Sequence, residues 1–138
     1  MSRAGMTPER ASVIRKITVQ AAVRDRAGKR VPREIDLYVI VGLRADGTPG
    51  EVFLRVGKAG GALQGFCDAW AQAVSVAVQG GEPLGAMARR VRRWRFEPSG
   101  RILNPWGERG PDDPPLRCTS LLDAVASWLL FRWPEAGR

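Results

Sequence analysis

The sequence predicts an α+β fold: a three-stranded antiparallel meander followed by a long helix, a short helix, a long loop and a C-terminal helix packed on one sheet face. Three observations carry that prediction. Between Ser12 and Val56 apolar and polar residues alternate with the period of two that half-buried strands require. From Leu63 the apolar residues fall instead at steps of three and four. Strands come first and helices after them, with no βαβ alternation, which suits an antiparallel sheet with segregated helices.

Residues 1–11 are small and polar, and a mobile tail with solvated arginines is expected there. The first strand runs from Ser12 to Val23, with Val13, Ile17, Val19, Ala21 and Val23 on one parity. Asp25 to Arg30 supplies turn residues, and Pro32 is expected to delay the second strand. In that strand Ile35, Leu37, Val39, Val41 and Leu43 alternate with Glu34, Asp36 and Tyr38. Asp46-Gly47 is a turn pair, and Glu51 to Val56 forms the third strand.

The glycine loop Gly57-Lys58-Ala59-Gly60-Gly61 leads into the long helix, whose apolar face reads Leu63, Phe66, Cys67, Trp70, Val74, Ala77 and Val78. Gln64, Asp68, Gln72, Ser75 and Gln79 take the other side, and Gly80-Gly81 ends the helix. Pro83 suits a helix start, and Leu84, Met87, Ala88 and Val91 make a short second helix. From Glu97 to Arg117 prolines and glycines break every periodicity, so a long loop is expected, its middle portion 108–115 either disordered or functional. Thr119-Ser120 then precedes Leu121, Leu122, Val125, Trp128 and Leu129, with Asp123 as a capping-box-like partner of Ser120 and Pro134 as the stop. A single domain over residues 12–134 accounts for all of these elements.

A chain of 138 residues can bury a core without staples, and no apolar run approaches the ~20 residues that span a bilayer. The N-terminal MSRAGMTPERAS lacks the apolar segment of a signal peptide, so export is not expected and the cytoplasm of a bacterial host is. Cys67 and Cys118 are expected to be reduced and unpaired, and the chain has no histidine, which removes the usual zinc ligand and the commonest general base. No metal or cofactor is expected. The net charge of +8 is uneven: +7 over residues 1–33 (nine cations against two anions), −3 over 34–85 and +4 over 86–138. Such a field favours an anionic partner, whether nucleotide, nucleic acid or acidic protein.

Two stretches have residues suited to chemistry. The loop with Lys58 sits before a helix start, where free N–H groups favour phosphate, although it carries neither GxxxxGK[ST] nor GxGxxG and its glycines equally suit packing. Downstream, Arg89, Arg90, Arg92, Arg93 and Arg95 surround Trp94 and lead into Phe96. That run is either a solvated helix face with two aromatics folded inward or an anion-binding edge, since guanidinium forks match phosphate and aromatic faces stack on bases. Arg101, Asn104, Trp106, Arg109 and Arg117 of the long loop extend the second reading. No paired carboxylates or nucleophile with a base stand out, and an enzyme is not expected.

Several phrases, DGTPGEVFLRVGKAGGALQGF, then QGGEPL, WRFEPSGRILNP and TSLLDAVASWL, give Pro32 to Leu130 a specific resemblance to the C-terminal (TSCPD-like) region of adenosylcobalamin-dependent, class II ribonucleotide reductases. Gly61 stands where that family usually has Ser, Ala124-Val125 replace a Tyr-Ile pair, and residues 107–115 are extra. The resemblance does not extend to a reductase barrel, its redox cysteines or a cobalamin site, so ribonucleotide reduction by this chain alone is not expected. As a free-standing copy the chain is also similar to small phage and prophage proteins, including the Thoeris anti-defence sponges that bind cyclic ADP-ribose signals without cleaving them. That second resemblance implies an oligomeric, non-catalytic protein that sequesters a cyclic ADP-ribose-like or cyclic dinucleotide signal. Arg93, Arg95, Arg101, Arg109, Arg117 and Lys58 would then hold phosphates, Trp94 or Phe96 would stack, and Asn104 would bond base or ribose. The first implies the alternative, an accessory or regulatory domain of a class II ribonucleotide reductase. A nucleic-acid-binding module is the third expectation.

Overall fold

The structure, a computed structural model, describes residues 5–57 and 61–134. Its elements in chain order are β1 (Ser12–Arg24), β2 (Arg30–Leu43), β3 (Pro49–Val56), α1 (Gly61–Gln79), α2 (Leu84–Val91), β4 (Gly100–Ile102), β5 (Arg117–Cys118) and α3 (Leu121–Arg132). The strands make one open antiparallel sheet of order β3-β2-β1-β4-β5. The predicted meander and three helices are therefore present, and the sheet is wider than the meander. Its two additional strands come from the stretch expected to be a loop.

Alternation decides which sheet face is covered. Ile17, Val19, Leu37, Val39, Val41, Val52, Leu54 and Val56 are buried with Cys67, Ala71, Val74 and Val78 of α1 and most of α3. α3 is buried on all sides from Leu121 to Ala126, because α2 packs on it from outside. Each fully buried Leu or Ile contributes about 1.5–3 kcal/mol. Among the described residues the opposite face carries no helix. There Ile14, Ile40 and Phe53 stand side by side in register, with Ile14 63% and Phe53 49% exposed.

Four details differ from expectation. Pro32 lies inside β2, opposite Ala22. Asp25 N–H donates to the Lys29 carbonyl at 2.8 Å, so in the alternating ladder Asp25/Lys29 and Val23/Val31 are bonded pairs while Ala22/Pro32 is not. A residue without an N–H costs nothing at such a position, and β3 ends before reaching it. Next, the stretch from Glu97 to Arg117 is not wholly loop: β4 pairs with β1 and with β5. Gly100 makes this possible, since a Cβ there would lie 2.0 Å from the Gln20 carbonyl oxygen. The middle of the stretch is a turn, closed where the Gly110 N–H donates to the Asp113 carboxylate at 2.6 Å.

The third difference is a rotation of α1. Phe66, expected inside, is 60% exposed, and Ala71 takes its place in the core. The polar side turns toward β3: Ser75 Oγ accepts the Val52 N–H at 2.8 Å and donates to the Val52 carbonyl at 3.1 Å. Gln64 accepts from Val56 N–H at 2.7 Å and donates to the Leu54 carbonyl at 3.0 Å, and Gln79 donates to the Gly50 carbonyl at 3.0 Å. Three side chains thus take the place of a neighbouring strand along the edge. Finally, Arg10, expected to be solvated, forms a fork on the buried Glu51 with Nε to Oε2 at 2.6 Å and Nη2 to Oε1 at 3.1 Å. Residues 5–11 are further tied down by Ala45 N–H to the Gly5 carbonyl and Leu43 N–H to the Ala11 carbonyl.

Candidate ligand-binding site

The basic aromatic run is positioned by one buried carboxylate. Ser120 caps α3 by accepting the Asp123 N–H at 3.0 Å, as the capping-box reading expects. The Asp123 carboxylate then reaches outward: Oδ1 accepts from Arg92 Nη1 and from the Arg93 N–H, both at 2.7 Å, and Oδ2 from the Thr119 N–H at 2.9 Å. It is 4% exposed, so three donors compensate its desolvation. This pins Arg93 in the left-handed region at φ 67° and turns the chain out of α2. Thr119 continues the connection, donating from Oγ1 to the Trp94 carbonyl at 2.9 Å and accepting the Phe96 N–H at its own carbonyl at 3.1 Å.

The predicted contact residues separate into three places. Arg93, Trp94 and Arg95 are exposed on the turn after α2, with Trp94 51% exposed, and Phe96 folds back against Phe66 with ring centroids 5.8 Å apart. Arg101 and Arg117 sit opposite each other in the β4–β5 ladder, both exposed. Arg109 donates to the Pro114 carbonyl within its own turn. Asn104 is occupied by the sheet, because its Oδ1 accepts the Thr18 N–H at 2.8 Å and its Nδ2 donates to the Lys16 carbonyl at 2.8 Å, extending the pairing of β1 past β4. Lys58 lies outside the described residues.

Sequence reasoning missed Arg15 of β1. It donates to the Asn104 carbonyl and lies 5.5 Å over the Trp106 ring, while its Nε is buried without a partner. Desolvation by burial lowers its pKa. The signal was available: Arg15 has the parity of Val13 and Ile17. Both thiols are free and buried, and desolvation pushes each up to about 11. Among the described residues no group of His, Cys, Asp and Glu is placed to hold a metal, and no helix is long and apolar enough to cross a membrane.

Two cavities stand out, and among the described residues neither is lined by a predicted contact residue. The smaller, about 390 Å³, follows the β3–α1 groove past Phe53, Asp68 and Val76. The larger, about 680 Å³, lies where the β1–β2 hairpin projects beyond its neighbours, since β3 stops at Val56 opposite Leu37 and β4 begins at Gly100 opposite Ala21. Val23, Ile35, Leu63 and Pro98 supply apolar lining and Arg33 and Glu97 supply charge, whereas Arg24 and Glu34 border the cavity with side chains at the parity of the uncovered face. Gly57 and Leu63 flank the glycine loop, and Glu97-Pro98 belongs to the RFEPSG phrase, so two of the sequence's most specific phrases meet at this cavity. Unequal strand lengths were the cue to it, legible only once the register was known.

The architecture defines a small α+β domain with one covered and one uncovered sheet face. The chain belongs to the TSCPD domain family, which matches residues 6–130. Among curated proteins it is similar to the vitamin B12-dependent ribonucleotide reductase of Rhodopirellula baltica, 36% identical over 93 residues covering 67% of this chain and 8% of that protein. The enzyme of the same name from Streptomyces clavuligerus is 33% identical over 102 residues, covering 68% and 11%. That of Bradyrhizobium diazoefficiens is 35% identical over 89 residues, covering 64% and 6%. The chain therefore spans about a tenth of the length of these relatives. No solved structure matches it.

Proposed function

We propose that the chain is a non-catalytic accessory or regulatory module of a class II ribonucleotide reductase, acting on a catalytic barrel carried by other residues than those described. What carries this reading is the family match over residues 6–130 together with reductase relatives at 33–36% identity. The uncovered face adds support, since Ile14, Ile40 and Phe53 present an apolar row that a docked partner would cover. The absence of histidine and the two buried, protonated thiols agree with a non-catalytic role. The test is co-elution of this chain with a purified vitamin B12-dependent reductase during size-exclusion chromatography. Co-elution lost in Ile14→Asp, whose exposed site leaves the fold intact, is expected. No co-elution and no change in reductase turnover would sink the reading.

A second reading has its own observation. Arg101 and Arg117 face each other across the β4–β5 ladder, and like charges directly opposite destabilise a strand pair unless an anion lies between them. On this reading the chain, as a homo-oligomer in a bacterial cytoplasm, sequesters a cyclic nucleotide-type signal such as cyclic ADP-ribose or a cyclic dinucleotide. The resemblance to phage anti-defence sponges supports it. Calorimetry with cyclic ADP-ribose isomers and cyclic dinucleotides tests it, and no heat from any of them refutes it.

A further inference from the structure

The uncovered sheet face holds more than its apolar row. The β2–β3 register is unbroken from Leu37 to Gly42, so the next row on that face reads Arg55, Tyr38 and Lys16, one ring between two cations. Tyr38, 36% exposed, stands diagonally across from Phe53 on the neighbouring strand, within reach of a large side chain. Farther along β1, Gln20 pairs with Arg101, which is itself opposite Arg117, and Arg24 carries the same parity toward the hairpin tip. Among the described residues two exposed or half-buried carboxylates answer these five cations. Asp36 is reached by Lys16 at 3.7 Å and bonded by Thr18 Oγ1 at 2.9 Å, and Glu34 lies opposite Gln20. Glu51 shares the parity but is buried under the Arg10 fork.

Docking of an apolar partner needs only Ile14, Ile40 and Phe53, and leaves the second ring and the cations without a task. Rings set among cations on an open sheet match a strand of alternating phosphates and bases. Guanidinium forks hold phosphate, and every base has a π-face to lay on a ring. A duplex keeps those faces within its own stack, so the match is to a single strand. The Lys16 and Gln20 rows lie about 13 Å apart along β1, a span within one short single-strand site.

We propose that the uncovered face binds single-stranded nucleic acid, with bases on Tyr38 and Phe53 and phosphates on Lys16, Arg55, Arg101 and Arg117. Ile14 and Ile40 extend the floor beside Phe53. The inference goes beyond both readings above, and it makes the oligonucleotide and the reductase competitors for Phe53.

The experiment is fluorescence anisotropy of a labelled oligothymidylate of roughly 12 nucleotides with the full chain over a salt series, beside a duplex of equal length. Four neutralised phosphates, at about −0.7 each, give a slope of log K on log salt of about −3. Arg55→Gln and Arg101→Gln should each reduce its magnitude by about 0.7. Tyr38→Leu and Phe53→Leu keep the charge and the apolar bulk but remove the ring. Each should weaken binding about fivefold or more at every salt concentration and leave the slope unchanged. Both positions are exposed, so an unchanged melting temperature is the control, and either variant decides the matter if the other is destabilised. Equal affinity for duplex and single strand, or full affinity in the Leu variants, overturns the inference and leaves only a basic surface. Failure to bind the oligothymidylate overturns it too, while co-elution with the reductase, which the Leu variants should retain, keeps the docking reading standing.

Discussion

The β3 edge of the sheet is eight residues long and is closed by Gln64, Ser75 and Gln79 of α1, whereas the β5 edge is two residues long and depends on Gly100, Asn104 and Asp123. The first arrangement is redundant: five side-chain bonds share the edge and an apolar helix face lies behind them. The second depends on single residues. Removing one contact from β3 leaves the rest in register, but removing one from the β4–β5 flank leaves several partners without alternatives. The nucleotide-binding reading uses that flank, because Arg101 and Arg117 face each other there, whereas the docking row of Ile14, Ile40 and Phe53 lies on β1, β2 and β3.

The largest effect is expected at Asp123. Asp123→Ala strands Arg92, the Arg93 N–H and the Thr119 N–H together, and breaking a buried pair from one side costs about 3–5 kcal/mol. Urea unfolding should show the midpoint falling accordingly. An effect under ~1 kcal/mol, the worth of one ordinary hydrogen bond, would mean that the carboxylate does not organise the flank. Next comes Gly100→Ala, whose added Cβ meets backbone 2.0 Å away and cannot be relieved by a side-chain rotation. A loss of about 2–3 kcal/mol is expected, within the upper range of single substitutions. Amide exchange should rise across β4 and β5 while β3 stays protected.

Legibility in the sequence follows the same division. β1, β2, β3 and α1 repeat their signal over eight or more residues, so a period reveals them even when one residue misleads. Phe66 misled in this way: its helical spacing matched the core, but the Gln64, Ser75 and Gln79 stripe had a stronger claim because β3 offered unpaired backbone groups. β4 and β5, at three and two residues, are too short to show any period, and Pro98, Gly100 and Pro105 around them read as breakers. Asn104 resembled a ligand contact by residue type, and only the register showed that its amide is occupied by β1. The cavity was beyond sequence reasoning for a related reason: it exists because strands end at different places, and ends are weakly encoded. The family phrases around Gly57 and Glu97 still marked its walls, although nothing in their spacing says that they meet.

A smaller effect should separate the edges from the other side. Ser75→Ala removes two bonds to Val52, each worth about 1 kcal/mol or less in a half-buried setting. The expected loss is therefore about 1 kcal/mol, with faster exchange of the Val52 amide and no change at β4. If the loss matched that of Gly100→Ala, the redundancy attributed to the β3 edge would be wrong.

The gentlest comparison uses the cysteines, because each flank has one: Cys67 in α1 behind β3, and Cys118 in β5. Burial raises each thiol from 9.0 to about 11, so the folded chain keeps them protonated where the unfolded chain ionises them. A raised folded pKa means that the associated stability is fully present below pH 9 and is lost as pH rises through about 11. Melting temperature should accordingly decline over that window, and less steeply in a Cys67→Ala, Cys118→Ala double variant. Below pH 9 a thiol reagent reads local opening, since only a transiently exposed thiolate reacts. Cys118 should label faster than Cys67, being held beside Gly100 in a two-residue strand. Gly100→Ala should accelerate Cys118 selectively, and Ser75→Ala should accelerate Cys67. Equal acceleration of both thiols by either substitution would show that the flanks open together, as a single cooperative unit.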